Sequence, residues 1–184
     1  MKTQLTKLRQ ALLDHVGYWE DYGLTLLKWI LFAMAAGLSV GMAGALFHRA
    51  IDAATTFREG HGWPLYLMPL AGVFIVWTYH VTGMSDDKGT EYIIGAVREG
   101  RILRIRTAPL IFLGTVLTHF VGGSAGREGA ALQLGGSMSN FIGRLLHLDD
   151  KDDRIITMCG MAAGFSALFG TPLAASVMAM EVVS

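Results

Sequence analysis

The stretch that decides the fold spans residues 122–130 and reads Gly-Gly-Ser-Ala-Gly-Arg-Glu-Gly-Ala. It joins two apolar segments, residues 110–121 and 130–146, and places Arg127 and Glu128 between them. A charged side chain at membrane depth costs about 3 kcal/mol, so such residues are rare and mark functional sites. The alternative is a glycine-rich turn in which Arg127 and Glu128 simply pair with neighbouring residues.

The flanking sequence is that of a membrane protein. The 184 residues are 52% hydrophobic and 16% charged, whereas average soluble domains have roughly 25% charged residues. Two apolar runs, residues 24–47 and 63–84, are long enough to cross a hydrocarbon core about 30 Å thick. We expect two spanning helices, joined by a polar connection over residues 48–62. The glycines Gly37, Gly41 and Gly44 would let another helix pack closely against the first span.

The distribution of basic residues predicts the orientation. Residues 85–107 carry five basic side chains, whereas residues 48–62 carry two. The positive-inside rule therefore places residues 85–107 in the cytoplasm, together with the amino terminus. Within residues 1–22, leucines recur at helical spacing, which predicts an amphipathic helix on the cytoplasmic membrane surface. A solvated helical tail is the alternative for this segment.

After Pro109 the apolar pieces become short. Residues 110–121, 130–146, 155–169 and 172–184 are separated by glycines, by Pro172 and by the charged connector of residues 148–154. Interrupted helices occur at membrane depth only where their backbone is buried in protein or lines a cavity. They are typical of transporter substrate sites.

A helix that begins near Glu128 would direct its free amide N–H groups and positive dipole end into the glycine-rich break. Such a helix start can bind a small anion without a cation. An ionised carboxylate at the same place can occupy the anion's position and leave it when protonated. Glu128 is therefore a candidate gate and proton acceptor.

Other classes of function find little support in the sequence. The formal net charge is zero, which does not favour a nucleic-acid partner. The six histidines and the single Cys159 show no metal-binding spacing, and the glycine-rich run matches no nucleotide-binding motif. We expect no metal, no cofactor and no enzymatic activity. A membrane enzyme using Glu128 and His119 would lack an accompanying nucleophile or cofactor motif.

The run GSAGREG, followed by an apolar helix, resembles the GREGP signature of the CLC family of chloride channels and anion/proton antiporters. Residues 160–182, GMAAGFSALFGTPLAASVMAMEV, are similar to that family's pair of small-residue helices with a terminal glutamate. The resemblance implies an all-α integral membrane fold in which broken or half-length helices surround an anion site. It covers residues 23–184, which correspond to the first of the family's two inverted repeats, and the second repeat is absent.

The resemblance also assigns roles to residues. Glu128 would be the gating glutamate, and Gly126, Arg127 and Gly129 would frame the anion-binding helix start, with Ala130 standing where the family has proline. An earlier anion motif aligns with Gly89, Thr90 and Glu91, although residues 83–85 are a competing placement. Glu181 is a candidate internal proton site, but a rival alignment places Val182 at that position.

The expected function is transport of chloride or fluoride, coupled to protons, by a multi-pass protein of the cell membrane that forms homodimers in the intact family. The drift of both motifs away from the chloride pattern favours the fluoride-exporting branch, which the run LTHFVGGSAGREG also resembles. The alternative is a truncated, non-conducting subunit, because the second repeat is missing.

Overall fold

A computed structural model describes residues 2–86, 89–101 and 103–183, with the backbone alone for residues 2–22. The described residues form seven α-helices and one short 3₁₀ helix, and they contain no β-strand. The helices are α1 (Lys2–Gly60), α2 (Met68–Val81), α3 (Thr90–Glu99), α4 (Thr107–Phe120), α5 (Arg127–Leu145), α6 (Asp150–Phe169) and α7 (Pro172–Val183), and the 3₁₀ helix is Trp63–Leu67. The all-α prediction is confirmed.

The chain divides into two compact units. Residues up to 35, the first part of α1, form one unit, and residues 36–184 form the other, which contains all the candidate site residues. The amphipathic character predicted for residues 1–22 depends on side chains that lie outside the described residues. Residues 23–60 and 63–81 are long and apolar enough to cross a bilayer, in agreement with the two predicted spans.

The polar connection predicted over residues 48–62 is wrong, because α1 continues to Gly60. Phe47, Ile51 and Ala54 follow one another at helical spacing and are all buried, so this part of the helix packs an apolar stripe into the core. The polar residues lie on other faces of the helix. One example is His48, whose Nε2 lies 3.2 Å from Oδ2 of Asp52 one turn later.

Small residues hold α5 and α6 together. A Cβ atom added at Gly164 in α6 would lie 2.5 Å from the carbonyl oxygen of Ala131 in α5. Gly135 and Gly160 meet backbone to backbone in the same interface. Because the helix axes approach this closely, any larger side chain at these positions would push α5 and α6 apart.

The connection between α3 and α4 is fastened to α5 by hydrogen bonds. The backbone N–H of Leu103 donates to Oδ1 of Asn140 over 3.1 Å, and Nη2 of Arg144 donates to the carbonyl oxygen of Leu103 over 3.0 Å. The amide of Asn140 also donates to Oδ2 of Asp153 over 2.6 Å, which ties in the first turn of α6. Burial raises the pKa of the Asp153 carboxyl at the start of α6. The hydrogen bond from Asn140 lowers that pKa and partly opposes the effect of burial.

Helix α6 begins at Asp150, inside the charged segment that the sequence predicted as a connector. Asp149 precedes it, and its Oδ1 accepts a hydrogen bond from the backbone N–H of Asp152 over 2.8 Å. Asp150, Asp152 and Asp153 lie in the first turn, where their negative charges interact favourably with the positive end of the helix dipole. The charges of this connector therefore start the helix earlier than the apolar pattern indicates.

Candidate anion site at two helix starts

The start of α5 is the centre of the candidate site. The helix begins at Arg127, preceded by Gly126 in an extended conformation with φ −66° and ψ 130°. In an α-helix the first four N–H groups have no carbonyl partner within the helix, and here they belong to residues 126–129. Glu128 lies in this first turn and is exposed. Its Oε2 would lie 3.4 Å from a Cβ atom at Gly126, so the carboxylate folds back towards the helix start.

The start of α3 lies directly beside that of α5. A Cβ atom at Gly129 would be only 2.5 Å from Oγ1 of Thr90. Gly89, the residue before α3, has φ 67° and ψ −132°, a conformation that side-chain-bearing residues rarely adopt. The glycines therefore serve two purposes: Gly89 allows the turn into α3, and Gly129 allows the two helices to approach closely. Two positive helix ends converge here.

The two segments that competed for the earlier anion motif lie in different surroundings. Gly89 and Thr90 lie at the α3 start beside Gly129, and Glu91 is exposed in the same first turn. Gly83 instead lies just after α2. Its carbonyl oxygen accepts a hydrogen bond over 2.9 Å from Nη1 of Arg104, which belongs to the connection that follows α3. The geometry favours the placement at Gly89.

Sequence reasoning missed Gln133. Its side chain is buried, and its Nε2 would lie 3.8 Å from a Cβ atom at Gly89 and 4.0 Å from one at Gly129. The amide therefore lies between the two helix starts, where it can donate or accept a hydrogen bond. The available signal was its spacing, since Gln133 follows Gly129 by one helical turn within an otherwise apolar run.

Arg127 and Ala130 make their recorded contacts with α1 and the core around it. Nη1 of Arg127 lies 3.7 Å from Oδ1 of Asp52 in α1, and both side chains are partly exposed. Such a pair contributes at most about 1 kcal/mol. The side chain of Ala130 is buried in the cluster that contains Phe47 and Ile51. By helix geometry its N–H bonds back to the carbonyl of Gly126 and is not among the free donors.

Glu181 lies far from Glu128. It is exposed in the last turn of α7. Arg98, in the last turn of α3, donates to the carbonyl oxygens of Val183 and Val182 over 3.1 and 3.2 Å. Helix α3 has 10 residues and is therefore about 15 Å long. Glu181 lies near one end of α3, and the gating candidate lies near the other.

His119 has a local partner. Its Nδ1 lies 2.8 Å from the carbonyl oxygen of Thr115, one turn earlier in α4. The backbone of the same helix thus gives the polar ring of His119 a hydrogen-bonding partner, which explains how a histidine fits in an apolar helix. A packed side chain is expected to have such a contact.

Comparison with known proteins agrees with the fold. The sequence profile described as "Voltage gated chloride channel" matches residues 71–184. A chloride/fluoride channel protein of Pseudomonas syringae pv. tomato is 39% identical over 158 residues, which cover 85% of this chain and 35% of that protein. The H(+)/Cl(−) exchange transporter ClcA of Salmonella paratyphi B is 28% identical over 97% of this chain and 40% of its own length.

A solved structure shows the same fold. The crystal structure of a CLC-type fluoride/proton antiporter matches with a TM-score of 0.76 and 34% identity, over 82% of this chain and 38% of the other. The protein is thus an all-helical membrane protein with broken helices around two convergent helix starts. The chain belongs to the voltage-gated chloride channel family, as its motifs predicted. It spans between about a third and two fifths of the length of these relatives.

Proposed function

We propose that this chain supplies the gating part of a proton-coupled transporter for a small inorganic anion. The observation that carries the proposal is the convergence of the α3 and α5 starts, with the Glu128 carboxylate folded back over one of them. Amide N–H groups at two positive helix ends provide donors for an anion. A carboxylate at the same position competes with the anion when ionised and releases the donors when protonated.

Fluoride is the anion that we favour. The relatives at 39% and 34% identity both carry fluoride in their names, whereas the named H(+)/Cl(−) exchanger shares 28%. The Thr90 hydroxyl and the Gln133 amide both lie beside Gly129 at the two helix starts, and hydroxyl and amide N–H donors suit a small and strongly hydrogen-bonding ion. Chloride is the alternative substrate, and the same experiment measures both ions.

Glu181 is our candidate for an internal proton site in addition to Glu128. Glu181 lies near the end of α3, whereas Glu128 lies near its start, so the two carboxylates would lie on different sides of the anion site.

The orientation that we propose places the arginine-rich connection after α3 in the cytoplasm, with the amino terminus on that side. We further propose that the protein works as a homodimer in the cell membrane, as the family resemblance implies.

The test is ion efflux from liposomes that contain the purified chain, followed with fluoride, chloride and pH electrodes. Glu128→Gln keeps the shape of a protonated glutamate and cannot ionise. We expect it to lower anion-driven proton uptake about tenfold or more, which is at least 1.4 kcal/mol, while anion efflux continues. Glu181→Gln should also uncouple protons from the anion.

Glu99→Gln is the matched control, because Glu99 is an exposed carboxylate in the last turn of α3 that pairs with Arg101. It should leave both fluxes unchanged. Equal losses from Glu128→Gln and Glu99→Gln would refute the gate. Absence of efflux from a folded, reconstituted chain would show that the site requires further polypeptide.

A further inference from the structure

Three arginines surround a groove at the end of α2. Nη1 of Arg104 donates to the carbonyl oxygen of Gly83 over 2.9 Å, and Nη1 of Arg106 donates to that of Thr82 over 3.2 Å. Arg144 completes the wall of a groove of about 470 Å³. Each guanidinium has five N–H donors, so these carbonyl contacts leave donors on every arginine for a ligand in the groove.

The groove continues between α2 and α4. Thr82 and Arg106 also line an adjoining apolar groove of about 280 Å³, with Trp77, Val81 and Leu113 among its walls. The three apolar side chains are well exposed. The cation-lined groove and the apolar groove therefore meet at shared residues.

A third groove extends the apolar section along the same two helices. It has a volume of about 290 Å³, and it shares Leu113 with the preceding groove and adds Leu70 and Phe74. The helices approach closely beside it, since a Cβ atom at Gly114 would lie 3.8 Å from Cγ2 of Ile75. From Thr82 to Leu70 the track follows α2 for about 18 Å, which is close to half of a hydrocarbon core about 30 Å thick.

We propose that this track, from Arg104 and Arg106 along α2 and α4 to Leu70, binds one anionic phospholipid. The phosphate would lie between Arg104, Arg106 and Arg144, and an acyl chain would lie along the apolar section. Guanidinium groups bind phosphate oxygens through paired hydrogen bonds. Basic pockets between transmembrane helices on the cytoplasmic side suit anionic lipid head groups.

Two simpler occupants fit only one part of the track. A free phosphate ion would use the arginines but not the apolar section, and a zwitterionic lipid would use the apolar section without needing three cations. The contacts of Arg104 and Arg106 with helix carbonyls explain why these side chains lie at the end of α2. They do not explain why the guanidinium-lined groove opens directly into an apolar one.

The test uses the purified chain in a neutral detergent and native mass spectrometry to measure binding of phosphatidylglycerol, phosphatidylcholine and inorganic phosphate. We expect phosphatidylglycerol to bind more tightly than phosphatidylcholine. Arg104→Gln and Arg106→Gln, made separately, should each weaken phosphatidylglycerol binding about fivefold, the equivalent of about 1 kcal/mol per charge. Arg101→Gln removes the same charge from the same connection but lies outside the track, so it should have no effect.

Leu113→Trp tests the apolar section, because it fills the groove at the residue that both apolar sections share. It should weaken lipid binding several-fold without changing any arginine. Circular dichroism of each variant separates loss of binding from loss of folding. Equal binding of the two lipids, phosphatidylglycerol binding that ignores Arg104 and Arg106, or inorganic phosphate binding as tightly as the lipid would each overturn the proposal.

Discussion

Helices α5 and α6 begin in opposite ways. The start of α6 is closed by its own chain, because the Asp149 carboxylate accepts from the N–H of Asp152. The start of α5 follows Gly126, which has no side chain with which to cap the helix, and its first turn carries Glu128 as its acid. The comparison shows that one helix start is capped by a side chain and the other is not. Under the proposed function, a movable Glu128 carboxylate or an ion would fill the uncapped start.

The surroundings of the two starts explain why this difference persists. The α6 start lies in a charged connector whose exposed groups include Asp149 and Asp150, where water can complete its hydrogen bonds. Gly126 and Glu128 at the α5 start are also exposed in this chain, but they lie in a break between apolar segments. At membrane depth, unsatisfied N–H groups cost several kcal/mol each. Under the proposed function, a ligand that accepts hydrogen bonds would offset this cost at α5 and would add little at α6.

The largest expected effect comes from making the α5 start resemble that of α6. Gly126→Asp places a fixed carboxylate before the helix, and an aspartate cap is worth about 1 kcal/mol. The carboxylate would hold the N–H donors that the anion needs and would repel the anion as well. We expect anion efflux to fall roughly tenfold or more in the liposome assay with ion-selective electrodes.

Gly126→Ala is the control for this change. The extended conformation at Gly126 is open to any residue, and alanine adds neither charge nor acceptor, so efflux should stay within about twofold of the unsubstituted chain, or about 0.4 kcal/mol. If the aspartate and alanine variants conduct equally, the α5 donors do not contact the transported ion.

A smaller loss is expected when the two convergent starts are pushed apart. Gly129→Ala brings a Cβ atom to within 2.5 Å of Oγ1 of Thr90, so one helix start must shift. We expect efflux to fall several-fold while the protein stays folded. Adding Thr90→Ala removes the clashing hydroxyl and should restore the double variant to the efflux of Thr90→Ala alone. A double variant as impaired as Gly129→Ala would show that the close approach is unimportant.

The sequence predicts the spans and the break well, because membrane crossing depends on long apolar runs and on glycine interruptions. The helix expected near Glu128 begins at Arg127. The extension of α1 to Gly60 could not be read from average polarity, since one buried stripe through Phe47 and Ile51 is sufficient to keep a mixed segment helical. The helical spacing of Phe47, Ile51 and Ala54 predicts this extension.

The site is less predictable from the sequence than the spans. Gly89 and the glycine-rich run around Gly126 are separated by more than thirty residues, and only tertiary packing brings them together. Family resemblance suggested the pairing, but the steric reason for Gly129 depends on Thr90 across the interface. Gln133 was missed because a lone amide in an apolar helix gives no motif, and its neighbours are set by packing.

The smallest effect is expected at the capped helix start. Asp149→Ala removes the side chain that accepts from Asp152, which should lower the free energy of unfolding by about 1 kcal/mol. The apparent melting temperature in detergent should fall, while efflux per folded protein stays unchanged. Asp150→Ala removes the same charge from the first turn but leaves the cap, so it should cost less. If Asp149→Ala instead reduced efflux as strongly as Gly126→Asp, the α6 start would also contact the ion pathway. The distinction between a structural helix start and an ion-binding one would then be wrong.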